Sequence, residues 1–252
     1  MKLLGRVAIV TGGSGNLGRA IVEELAKEGA DVVFTYFTNK NVAKLLEFQC
    51  KPYGRKVIGV KCDVRKYEDV KNVVDFTVKE FGKIDILVNN AAKEYHGSVL
   101  EITEKMWRDS MEINLYGPFY FIKLSLPHMI NQNFGKIINI ISTAGIVGGG
   151  SSVAYSSSKG GLWILTKQVA LEVAKFNINV NAIAPGFILR ETSTKEEIEF
   201  VKNMTPLGKV CRPQDIVKSV IFWNYAYYLK VFNIIMKLNV ILHCIGANPI
   251  SN

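Results

Sequence analysis

A chain of 252 residues, with 48% hydrophobic and 21% charged side chains, is long enough for one sizeable core and ordinary for a soluble globular protein. Its net charge of +9 comes from dispersed Lys and Arg without a basic block, so we expect a lysine-rich solvated surface, able to attract phosphate-bearing ligands, and no nucleic-acid partner. The four cysteines, Cys50, Cys62, Cys211 and Cys244, show neither C-x-x-C nor zinc-like spacing, which points to reduced thiols, no disulfide and no metal.

The apolar start is interrupted at Arg6 too early for a signal peptide. The sequence also has no run of about 18 apolar residues that would read as a membrane span. A cytoplasmic protein is the expectation. Residues 6–10 read as a first strand, followed by Thr11-Gly12-Gly13-Ser14-Gly15-Asn16-Leu17-Gly18 and a helical pattern over 20–27. Gly13-x-Gly15-x-x-Gly18 between a strand and a helix is the setting in which backbone amides and a helix N-terminus cradle a pyrophosphate. Elsewhere the same glycines would be only a flexible turn. The second strand, 31–36, ends in Tyr36-Phe37-Thr38-Asn39-Lys40, without the acid that usually holds a ribose 2′-hydroxyl about 20 residues after such a loop. With Lys40 and Arg19 nearby, this absence favours a 2′-phosphate, so NADP is the expected cofactor and NAD the alternative.

Strands follow at 56–60, 84–88, 136–141 and 178–183, separated by segments such as 70–81 with apolar residues at helical spacing. Gly29, Gly82 and Gly135 fall between helices and strands, where the left-handed position past a helix end suits glycine. Near-continuous apolar strands alternating with helices predict a single α/β domain over 1–252: a doubly wound parallel sheet flanked by helices, the Rossmann fold. The ends of those strands carry Asp63-Val64, Asn89-Asn90-Ala91-Ala92, Ser142 and Pro185-Gly186, and ligands of open α/β sheets bind outside strand carboxyl ends.

Between the fifth and sixth strands lies Tyr155-Ser-Ser-Ser-Lys159, thirteen positions after Ser142. On a helix, residues i and i+4 share a face. A lysine there can stabilise a phenolate, and drawing a phenol down by roughly 3 pKa units takes about 4 kcal/mol. By itself the pentapeptide also describes a surface tyrosine beside a snorkelling lysine; the ordered company of the other motifs favours an acid/base pair.

In this order, Gly12, Gly18, Tyr155 and Lys159 resemble the short-chain dehydrogenase/reductase family over roughly residues 3–221, with 3-oxoacyl carrier-protein reductases as the nearest pattern through Pro206-Leu-Gly-Lys209 and Arg212-Pro-Gln-Asp-Ile216. The resemblance implies cofactor contacts at Gly12, Ser14, Gly15, Asn16, Leu17 and Gly18, at Tyr36, and at Asp63 and Val64 beside the adenine. It also implies them at Asn90, Ala91, Ala92, Tyr155 and Lys159, and at Pro185 and Gly186 beside the nicotinamide. Tyr155 would then exchange the proton and Lys159 would depress its pKa and hold the nicotinamide ribose. Ser142 would bind the substrate oxygen, and Asn114 would hold a water linking Lys159 to solvent. Residues from 187 to about 209 would form a lid, and the assembly would be a dimeric or tetrameric homo-oligomer.

Two departures stand out. Asn16 replaces a usual glycine, where asparagine's tolerance of positive φ would let the turn form. Residues 222–252 lack the usual Thr-Gly and Asp-Gly-Gly and form an atypical tail. The expected activity is NAD(P)-dependent hydride transfer between the cofactor and a ketone or secondary alcohol, with a 3-oxoacyl thioester as the leading small-molecule substrate. Alternatives are a sugar or other alcohol dehydrogenase of the same family and a catalytically idle nucleotide-binding scaffold.

Overall fold

The computed structural model describes residues 1–205 and 207–225, together with the backbone of the short strand Val240–Ile241. The strands are β1 (Val7–Val10), β2 (Asp31–Tyr36), β3 (Val57–Lys61), β4 (Ile86–Asn89), β5 (Gly135–Ile140), β6 (Ile178–Ile183) and β7 (Val240–Ile241). The helices are α1 (Asn16–Lys27), α2 (Lys40–Cys50), α3 (Tyr67–Phe81), α4 (Glu104–Met111), α5 (Gly117–Asn131), α6 (Ala144–Val147), α7 (Val153–Val173), α8 (Lys195–Met204) and α9 (Pro213–Tyr225). Six strands form a parallel sheet, and the two-residue β7 pairs with Ala182 and Ile183 at its edge, in the order β3-β2-β1-β4-β5-β6-β7. The α/β doubly wound fold expected from the sequence is what the chain adopts. Strand order reverses between β1 and β4, and the crevice at their carboxyl ends is where such sheets take ligands.

The strands are near-continuous apolar runs because both sheet faces are covered. Val7 to Val10 are all buried, and alternate residues serve opposite layers. Ala8 and Val10 pack with Ile21, Leu25, Ile216 and Val220 under α1 and α9. Ile9, with Val33 and Leu87, faces Val70, Val73, Phe121 and Val169 from α3, α5 and α7. Burying each such side chain fully contributes about 1.5–3 kcal/mol. At the amino ends of β1 and β4, the buried Asp85 accepts hydrogen bonds from Val7 N and Arg6 Nη1, both at 2.9 Å, and is ion-paired with Lys83 at 3.0 Å. This carboxylate fastens the two strands flanking the crevice.

Left-handed backbone occurs at Gly29 and Gly82 as the sequence suggests, but not at Gly135. There Asn133 takes the positive φ, and Gly135 opens β5, where a Cβ would stand 2.7 Å from Met129 Sδ. Close packing, not turn geometry, requires that glycine. The tail expected to be atypical begins as the last turn of α9; beyond Tyr225 and apart from the β7 backbone it lies outside the described residues, as does Pro206.

Candidate active site

A cleft of about 620 Å³ opens over the carboxyl ends of β1, β2, β3 and β4. One wall is the turn from β1 into α1, where Gly12 has a φ of +65° and donates its N–H to Thr35 Oγ1 at 3.0 Å. A Cβ on Gly12 would meet Ala91 Cα at 2.9 Å, and one on Gly18 would lie 2.1 Å from Gly12 O. Only glycine allows that closeness between helix and turn. Gly15 caps α1 with extended backbone, and the first helical turn carries no acidic residue. The helix N-terminus is thus free to receive an anion. Asn16 opens α1 itself and is not among the positive-φ residues, so its tolerance of left-handed backbone is not used. Its amide instead donates to Leu189 O at 2.8 Å.

The second wall is the segment after β4. Thr11 Oγ1 accepts the N–H groups of Asn90 and Ala91, each at 2.9 Å, while Asn90 Nδ2 donates to Thr11 O at 2.9 Å and Gly12 O at 3.2 Å. Deeper, Asn89 Nδ2 donates to Asn139 Oδ1 and Asn139 Nδ2 to Thr166 Oγ1, both at 2.8 Å, tying β4 through β5 to α7. Gly12, Ser14, Gly15, Asn16, Leu17 and Gly18 line the cleft together with Tyr36, Asp63, Val64, Asn90, Ala91 and Ala92. Pro185 and Gly186 lie outside that lining, after β6, where Pro185 O accepts from Thr143 N at 3.1 Å and so sits against the Ser142 segment.

Sequence reasoning missed the polar cluster at the far end of the cleft. Arg65 Nε and Nη2 donate to the two oxygens of Asp63 at 2.9 and 2.7 Å, and its Nη1 reaches Asp109 Oδ1 at 3.3 Å. Tyr95 and Lys105 donate to the other Asp109 oxygen at 3.0 and 2.7 Å. The Arg65 hydrogen bonds hold the Asp63 carboxyl below its usual range. Arg65 also lies 5.8 Å from the Phe37 ring centroid. The signal available was the pair Asp63-x-Arg65 beside an expected cofactor residue; Asp109 and Tyr95 carried none. Arg19 and Lys40, which the sequence offers to a 2′-phosphate, are absent from the lining, and Arg19 is ion-paired with Glu191 at 2.9 Å.

The residues expected to form an acid/base set gather at the start of α7. Ser152 caps that helix through a hydrogen bond from Tyr155 N, so Tyr155 sits in the first turn and Lys159 one turn later. Lys159 is 1% exposed, and its Nζ donates to Ile140 O at 2.6 Å and lies 5.7 Å from the Tyr155 ring centroid. Burial draws the Lys159 ammonium down to about 8, opposed by the charge of Glu94. Burial and then Glu94 push the Tyr155 phenol up to about 12, against a hydrogen bond from Ser142 that lowers it. The phenol is therefore not near neutrality here: burial and Glu94 raise it, and only the Ser142 hydrogen bond lowers it, so the depression expected from Lys159 is not found. Glu94, which the sequence did not single out, accepts a hydrogen bond from Ser151 Oγ at 2.6 Å.

Asn114 is fully buried in a single π-helical turn, Glu112–Tyr116, between α4 and α5. Its side chain accepts from Lys93 N at 2.8 Å and donates to Lys93 O at 2.9 Å and Ser158 Oγ at 3.0 Å. These bonds join the β4 segment to α7. A π turn inside a helix is frequent at functional sites.

A parallel sheet whose switch point holds a glycine-built anion cradle, beside a half-buried tyrosine and a buried lysine, defines a nicotinamide-nucleotide-dependent oxidoreductase. The short chain dehydrogenase family model matches residues 6–200, and the chain belongs to that family. It is 36% identical to the 3-oxoacyl-[acyl-carrier-protein] reductase FabG of Aquifex aeolicus, over 88% of this chain and 91% of that protein. Among solved structures it resembles NAD+-bound xylitol dehydrogenase, with a TM-score of 0.84 at 31% identity, covering 89% of this chain and 94% of the other. It also resembles a variant of actinorhodin polyketide ketoreductase with NADPH, with a TM-score of 0.82 at 30% identity over 89% and 91%.

Proposed function

We propose that this chain, folded as one domain, is an NADPH-dependent reductase of 3-oxoacyl thioesters in which Tyr155 is the proton donor. The carrying observation is the geometry of the pair: Tyr155 stands in the first turn of α7, and the buried Lys159 places its Nζ 5.7 Å from the Tyr155 ring centroid. A bound nicotinamide would supply the hydride. The fit of its pyrophosphate rests on the Gly12–Gly18 cradle, whose close approach leaves room for no side chain, and on an α1 N-terminus free of acids.

As the carbonyl oxygen gains charge, the Tyr155 hydroxyl gives it a proton, and Lys159 stabilises the phenolate left behind. Ser142, already bonded to Tyr155, orients that oxygen. Asn114, seated in the π turn, would hold a water leading to Lys159. Preference for NADP is supported by the end of β2, which offers Phe37 and Thr38 and no carboxylate, while Asp63 is neutralised by Arg65. By likeness to its family the protein is cytoplasmic, homo-oligomeric and acts on a small molecule, without a nucleic-acid partner. Among the described residues no helix is long and apolar enough to cross a membrane.

The second reading is a polyol or sugar dehydrogenase, favoured by the likeness to xylitol dehydrogenase and by Glu94, a carboxylate near the reacting atoms able to accept hydroxyls. Initial rates with a 3-oxoacyl thioester, a ketose and a simple ketone, each with NADPH and NADH, decide between them. Faster thioester reduction with NADPH is expected; turnover of the ketose alone would overturn the primary reading.

A further inference from the structure

Glu94 has no place in the proton-transfer scheme, yet the fold delivers its carboxylate to the catalytic edge of the site. The preceding residue is held at both backbone groups, Lys93 N and Lys93 O, by the buried Asn114 side chain. The Glu94 side chain crosses to α7 and accepts the Ser151 hydroxyl at 2.6 Å, one residue before the Ser152 cap and four before Tyr155. Glu94 is half-buried, so its charge is only partly screened. Sheet, π turn and helix start thus fix an anion beside the first turn of α7, which carries Tyr155.

We propose that Glu94 is a specificity-determining residue that rejects carbonyl compounds bearing a negative charge one methylene from the reacting carbonyl and admits neutral or cationic ones. An anion fixed beside the reacting carbonyl repels a substrate carboxylate in a partly desolvated site, whereas a thioester or ester at the same position meets no such repulsion. The same charge is felt by both catalytic groups, raising Tyr155 and Lys159 alike. The inference rests on the reading of Tyr155 as the reacting centre, and it narrows the substrate class to 3-oxo compounds whose acyl end is esterified, excluding free 3-oxo acids.

The test compares acetoacetate with its ethyl ester, which share one ketone and differ by one charge. With NADPH, the wild-type protein should prefer the ester, and Glu94→Gln should shrink the ester-to-acid ratio of kcat/KM by about fivefold or more, because the Gln amide keeps the size and the Ser151 contact without the charge. Ser151→Ala, which releases the carboxylate from its tether, should shrink the ratio less. A ratio unchanged in Glu94→Gln overturns the proposal. Dissociation constants of acid and ester for the NADPH-loaded protein, read from nicotinamide fluorescence, give the same ratio without turnover. A charge-dependent ratio there with no reduction of either compound would sink the reductase reading while leaving the Glu94 assignment standing.

Discussion

Lys159 and Tyr155 are displaced from their ordinary pKa values in opposite senses by one cause, burial, which disfavours the ammonium and the phenolate alike. The two groups are therefore closer to neutral forms than in water, and Lys159 loses its charge on raising the pH through about 8. In the proposed mechanism the protonated lysine stabilises the phenolate formed during reduction, so kcat/KM for reduction should be level below that pH and decline above it. Tyr155, at about 12, remains protonated throughout, so it cannot produce that fall. A pH–rate profile with a neutral ketone checks this; a rate still rising between pH 8 and 9 would contradict it. Single residues of this kind were partly legible in the sequence. Tyr155, Lys159 and Ser142 were recognisable from their order and spacing. The direction of the Tyr155 shift was not, because it depends on how much water the folded site excludes. Glu94 was invisible for a different reason: its partner Ser151 lies 57 residues away, and only the fold makes them neighbours.

At the scale of elements, the β1–α1 turn and the Asp85 clasp make separable demands. Gly18→Ala would place a methyl group 2.1 Å from Gly12 O and 2.9 Å from Asn90 Nδ2. Relieving that overlap should cost about 1–3 kcal/mol and open the cradle, weakening NADPH binding about tenfold or more in a fluorescence titration. Unaltered affinity would show that the turn does not hold the pyrophosphate. Asp85→Ala leaves Val7 N without its acceptor at the opposite end of the same strands. It should cost about 2–3 kcal/mol, seen as a fall in Tm of roughly 4–12 °C, with NADPH affinity little changed. The strands themselves were readable, to within a residue or two at each end, because burial on both faces writes continuous apolar runs. The π turn that seats Asn114 was not readable, since Glu112-Ile-Asn-Leu-Tyr116 continues the helical pattern and only the packing of α4 and α5 around α7 reveals the extra residue.

Across the whole molecule, the sheet separates two tasks along one edge. The turns after β1, β2 and β3 line the cleft proposed to take the dinucleotide, and the segments after β4 and β5 bring Glu94 and Ser142 to the start of α7. The bonds of Asn90 to Thr11 and Gly12, and of Asn89 through Asn139 to Thr166, link these halves through the sheet centre. The chain alternation predicted this division, because motifs at successive strand ends of a doubly wound sheet fall on one edge. It did not predict the Arg65–Asp63–Asp109 cluster at the far end of the cleft, whose members come from the turn after β3 and from α4 and meet only after folding. The central claim is that hydride transfer at this edge depends on a proton from Tyr155. Removing one hydroxyl tests it most directly: Tyr155→Phe should bind NADPH as the wild type does while its rate of 3-oxoacyl thioester reduction falls by about 10² to 10⁴. Equal rates for the two proteins would contradict the account.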